Sequence, residues 1–173
     1  MMIYFYICSL IFSLILGALG HFIYKWSGYN KIMALFFAVN ESVWEHIKIG
    51  LTPMFIVFLI EFFFYGDIKI FYIAKFLGFS TFILLIPILF FSYTSLTKKH
   101  ILVVDVLIFV ISLVVAYSVD YLYLNNGIYN VFLNLISIIG ITIFVIMYLL
   151  FTVYPLKNII FKDPETGKYG IKE

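Results

Sequence analysis

Five stretches of this chain are apolar for long enough to cross a lipid bilayer as helices: Met2 to Tyr24, Val43 to Tyr65, Ile73 to Thr94, Ile101 to Tyr123 and Asn130 to Tyr154. In hydrocarbon every backbone N–H and C=O must find its partner within the chain, so runs of this length are expected as α-helices. Of the 173 residues, 65% are hydrophobic and only 12% charged, which is more apolar surface than one small globular core buries. The expected fold is therefore all-α, a polytopic transmembrane helix bundle of about five spanning helices. The lipid bilayer is its first partner. A further apolar segment, Ile32 to Val39, is too short to span and has no polar face, and it is expected as a re-entrant or interfacial helix buried against the bundle.

The few charges report orientation. All eleven basic residues are lysines, and the net charge of +2 is small and dispersed, which excludes a nucleic-acid surface. With the N-terminus outside, the inner side collects Lys25, Lys31, Lys48, Lys98, Lys99, Lys157, Lys162, Lys168 and Lys172, and the outer side only Lys69 and Lys75. By the positive-inside rule this favours N-terminus outside and C-terminus inside. The first run lacks a basic leader region and is long enough to span, so it reads as an uncleaved first helix. Cys8 is the only cysteine and leaves no intramolecular disulfide or thiolate cluster.

Two units follow, a bundle over residues 1–154 and a cytoplasmic tail over 155–173. Pro155 closes the last helix. In "FKDPETGKYG", Asp163-Pro164 opens a turn and Gly167 is available for positive φ, so a turn or short hairpin is expected there.

The polar block "VNESVWEHIK", Val39 to Lys48, interrupts this apolar chain. Ser42 and Glu45 have the spacing of a capping box, which would start the second spanning helix. Lys48 could pair with Glu45 while reaching toward the headgroups. That leaves His46 unexplained, together with two like charges, Glu41 and Glu45, four residues apart at a membrane boundary. Ser9, Ser13, Gly17 and His21 recur every four residues along the first helix, a small-residue stripe that ends in a histidine. On the fourth spanning helix Ser112, Ala116 and Asp120 fall within about 60° of Asp105, so that face is expected inward. Glu61 and Asp120 are the ionisable residues of the outer half of the spans. The inner third gathers His21, Glu41, Glu45, His46, Lys48 and Asp105.

Two histidines and a carboxylate make a workable zinc shell, so His21, His46 and Glu45 are the candidate metal ligands and Glu41, Glu45 and Asp105 the candidate catalytic carboxylates. Zinc is the one cofactor these residue types suggest.

"GHFIYKWSGYN", "FFAVNESVWEHIK" and "FKDPETGKYG" together resemble an uncharacterised family of small bacterial multi-pass membrane proteins, a domain of unknown function. Its marks are a VNESxWEHxK block and a C-terminal FxDPxTGxYG segment. The resemblance implies a bacterial inner-membrane protein with no assigned activity and carries no catalytic residues.

Three functions compete. The first is a structural or complex-forming bundle with a polar inner pocket, which would join copies of itself or other membrane proteins. The second is an intramembrane, metal-assisted hydrolase of lipid-like substrate. The third is a small-solute or ion permease that works as an oligomer, with Glu61, Asp105 and Asp120 as relay points. The lysine distribution carries its own prediction. A reporter active only outside the membrane is expected to work when fused to the N-terminus and to be silent after Glu173; the reverse pattern overturns the orientation.

Overall fold

The structure is a computed structural model and describes residues 2–171. Within them lie α1 (Met2–Trp26), α2 (Lys31–Phe36), α3 (Val43–Tyr65), α4 (Phe71–Thr97), α5 (Leu102–Asn126) and α6 (Val131–Val153). All but α2 are long and apolar enough to cross a membrane, and the protein is a membrane helix bundle.

Local chemistry explains most of the boundaries. Asn30, Ser42 and Asn130 sit at the N-caps of α2, α3 and α6, where each side chain accepts an otherwise orphaned amide: from Ile32 (2.8 Å), Glu45 (3.4 Å) and Leu133 (3.0 Å). Helix α4 stops where Lys98 turns left-handed and its amide bonds the Thr94 carbonyl. Successive spans alternate in direction. The end of α1, the start of α3, the α4–α5 connection and the end of α6 therefore share one end of the bundle with the tail. We call this the tail end.

Helix α3 is the axis: 56% of its most apolar window is buried, against 22% for α1 and for α6. Helix α1 packs on it through the small-residue face expected from the sequence, with Ser9, Ser13, Gly17 and Gly20 buried. Pro53 has no N–H to give the Ile49 carbonyl, and α1 passes close to it: a Cβ on Gly17 would lie 3.5 Å from that oxygen. On α5, Ser112, Ala116 and Asp120 do turn inward. Opposite faces of the outer helices carry exposed Ile, Leu, Val and Phe side chains, the surface that lipid covers.

Helix α2 and the irregular segment after it lie between α1, α3 and α6. Ala34 is fully buried, and the Ala38 amide reaches the Gly20 carbonyl at 3.2 Å. The tail folds back onto this segment. Its turn is closed by Asp163, whose carboxylate accepts from the Glu165 amide (3.0 Å) and the Thr166 hydroxyl (2.5 Å), with Gly167 at φ 70° and a bridge between Lys162 and Tyr169. The Trp44 amide donates to the Ile160 carbonyl at 2.9 Å, Asn40 Nδ2 donates to the Gly170 carbonyl at 2.9 Å, and the Phe161 ring stacks on Trp44 at 5.0 Å. The tail thus seats on the Asn40–Trp44 entry into α3 and is part of the packed structure.

A tight contact at the axis generates a test. The Phe82 ring, itself fully buried, lies over Gly50, where a Cβ would come within 2.1 Å of it. Gly50→Ala is expected to destabilise the solubilised protein by roughly 1–3 kcal/mol, read as a lowered thermal midpoint, because the ring has nowhere to move.

Candidate functional site

Ser42 starts α3 with its hydroxyl on the Glu45 amide, half of the expected capping box. The other half is different. The Ser42 amide is taken by Asn40 Oδ1 at 2.9 Å, and Glu45 reaches further back, its Oε2 accepting from the Val39 amide at 3.0 Å. The same oxygen meets Lys48 Nζ at 2.6 Å, and Lys48 also donates to the Ala34 carbonyl at 2.8 Å. Lys48 is 0% exposed. It therefore does not reach for the headgroups; Glu45 and the Ala34 carbonyl hold it inside. One turn on, Thr52 Oγ1 donates to the Phe36 carbonyl at 2.5 Å. Glu45, Lys48 and Thr52 all lie on the α3 face that meets the broken segment, and together they bond Val39, Ala34 and Phe36. Non-helical backbone at membrane depth is tolerated only when satisfied in this way.

Glu41 is half exposed and turns the other way, toward the histidines. His21 Nδ1 and His46 Nε2 each lie 3.9 Å from Glu41 Oε2, and the imidazoles stand at 5.0 Å between centroids. One donor atom from each of His21, Glu41 and His46 falls within 4.8 Å of the others. His46 Nδ1 lies 2.9 Å from the Ser42 carbonyl, which can only accept, so Nδ1 donates and Nε2 is the ring nitrogen that faces Glu41. Beside His46 runs a mostly apolar groove between α3, α4 and α5, lined by Val43, Ile86, Phe90, Ile108 and Asp105. Asp105 is held by the Tyr93 hydroxyl, which donates to its Oδ1.

Of the residues singled out from sequence, His21 and His46 come together with Glu41 closing the set, and Glu45 is engaged elsewhere. Asp105 lines the groove next to His46. At the opposite end, Glu61 and Asp120 meet a residue whose role the sequence reading missed. Lys75, assigned to the outer surface, is buried between both carboxylates, at 2.6 Å from Asp120 Oδ2 and in contact with Glu61. Its burial was legible: Lys75, Gly78, Phe79, Phe82 and Ile86 are the inward face of α4, at helical spacing. With Lys48 and Lys75 buried, the exposed lysines among the described residues are Lys25, Lys31, Lys98, Lys99, Lys157, Lys162 and Lys168 at the tail end and Lys69 at the other. The asymmetry behind the orientation survives.

The buried Glu45–Lys48 pair predicts an asymmetric response to mutation. Lys48→Met strands a buried carboxylate and is expected to cost about 3–5 kcal/mol, whereas the double variant Glu45→Gln, Lys48→Met should recover part of that loss. Thermal midpoints of the three proteins in one detergent measure it.

A family described as a family of unknown function, DUF6512, matches residues 2–171, and the chain belongs to it. No curated protein and no solved structure matches the chain.

Proposed function

We propose that this member of DUF6512 is a multi-pass membrane protein whose activity centres on one divalent metal ion held by His21, Glu41 and His46 at the tail end of the bundle. The observation that carries the reading is convergence: three donors from α1, the entry loop and α3, the histidine on α3 already oriented by the Ser42 carbonyl. A tetrahedral shell with metal–ligand bonds of ~2.0–2.1 Å places neighbouring donors about 3.3 Å apart, so the two 3.9 Å separations from Glu41 need closing by about half an ångström each and the histidine donors, within 4.8 Å of one another, must also draw together. Glu41, on the exposed loop, is free to supply its share of that movement. Zinc fits two imidazoles and one carboxylate, and three protein ligands leave a fourth position open.

Bound there, such an ion would activate water and polarise a carbonyl. The small pocket beside His46 is lined mostly by apolar side chains, which suits an apolar substrate group next to the ion, and Asp105 on its wall would accept a proton. The chemistry this supports is metal-assisted hydrolysis of a lipid-like ester or amide at the membrane boundary. The setting is a bacterial inner membrane, with the N-terminus outside and the tail, and therefore the site, at the cytoplasmic face.

A second reading has its own support. The Glu45–Lys48 pair and the Asn40 and Trp44 contacts satisfy much of the polar block internally and anchor the tail, as a structural or complex-forming bundle requires.

Elemental analysis of protein purified without a histidine tag separates the two. About one zinc per chain is expected, lost in His21→Ala, His46→Ala and Glu41→Ala with the fold retained, and kept in Asp105→Asn. Metal-free wild type, with both histidine variants merely less stable, would sink the metal reading and leave the scaffold.

A further inference from the structure

The second group of buried charges lies at the opposite end of the bundle and owes nothing to the metal reading. Glu61 on α3, Lys75 on α4 and Asp120 on α5 each stand about one to two turns inside the ends of their helices, and all three are buried. Lys75 Nζ donates to Asp120 Oδ2 at 2.6 Å, to Glu61 Oε2, and to the Tyr6 hydroxyl of α1 at 3.0 Å. Those three acceptors use up the ammonium's three hydrogens. The other oxygens, Glu61 Oε1 and Asp120 Oδ1, are buried and have no hydrogen-bond partner among the described residues. They border a small void lined by Met54, Val57, Phe79 and Tyr117.

The charge does not balance. Two carboxylates against one ammonium leave one negative charge in hydrocarbon surroundings, and among the described residues no second basic side chain reaches it. Around it stand Tyr6 from α1, with Tyr117 and Tyr121 from α5; the only titratable group of α6 is Tyr148, toward the tail end. Phenols donate hydrogen bonds but carry no positive charge. A metal cation is a poor remedy, because the void offers two carboxylate oxygens where a hard cation takes six or more, and the Lys75 ammonium would repel it at contact distance. A proton meets both requirements: it neutralises one carboxylate and turns an unpartnered acceptor into a donor.

We propose that Glu61, Asp120 and Lys75 form a proton-binding site that holds one exchangeable proton on the carboxylate pair, within the membrane and remote from the histidine site. The two carboxylates titrate as a unit, Lys75 compensating whichever of them is ionised. Proton uptake and release at this site give the bundle two charge states, the arrangement that proton-linked conformational change or transport requires.

Infrared spectroscopy of the protein in lipid nanodiscs tests this. Near neutral pH the wild type is expected to show the carbonyl stretch of a protonated carboxylic acid in an apolar setting, shifting to lower frequency in D2O as the proton exchanges. Glu61→Gln and Asp120→Asn each leave one carboxylate for Lys75, so each is expected to fold and to lose the band. Lys75→Met removes the cation and is expected to raise its area about twofold, both acids then being protonated. The wild-type measurement stands even if Lys75→Met fails to fold. A wild type without the band, a band that survives in both amide variants, or carboxylate bands that move with added sodium instead of pH would overturn the proposal.

Discussion

The buried contact of Glu45 with Lys48 is what the tail end of this protein depends on. A membrane helix satisfies its own backbone, but the segment between α1 and α3 is a short helix followed by irregular chain, and its carbonyls and amides would be stranded in hydrocarbon. Three side chains of α3 meet them. Glu45 takes the Val39 amide, Lys48 the Ala34 carbonyl and Thr52 the Phe36 carbonyl. The carboxylate and ammonium are affordable at that depth because each is the other's counter-ion and each has a backbone partner. The ion pair has a structural task, which is to make a break in the helical backbone possible inside the bundle.

The break in turn creates the candidate metal site. Because the chain returns to α3 through an extended loop, Glu41 projects from it while Glu45 is held inside, and the two like charges that look unfavourable in sequence face opposite directions. Glu41 lies against His21 and His46 instead. The loop also supplies the surface on which the tail sits, through Asn40 and Trp44. One short block therefore closes the backbone, orients a histidine and anchors the C-terminal segment.

The charge clusters at the two ends differ in a way that sets their chemistry. The histidine cluster is partly exposed, Glu41 most of all, so a ligand can arrive from outside. The charged side chains of the Lys75 cluster are buried, and the void beside them, bordered by Met54 and Phe79, is about the size of one water. Helix α3 carries residues of both, His46 near its start and Glu61 near its end, separated by about four turns of continuous helix that includes Pro53.

The length of the apolar runs determined the five spans by itself, because hydrocarbon allows a single chain of this composition few alternatives to helices. Periodicity likewise exposed the inward faces of α1 and α5, Ser9–Ser13–Gly17 and Ser112–Ala116–Asp120, since helix geometry alone places residues four apart on one side. Direction of reach was a matter for the tertiary structure. Whether Glu41 or Glu45 meets the histidines depends on the path of the loop, and sequence spacing assigns both to the same helix start. The partners of Lys75 belong to the same class: helical spacing puts it on the inward face of α4, but only the approach of α3 and α5 brings two carboxylates to it. Pairing between distant segments is set by how helices cross, which local propensity does not encode, so the elements were legible and the partners of their charges were not.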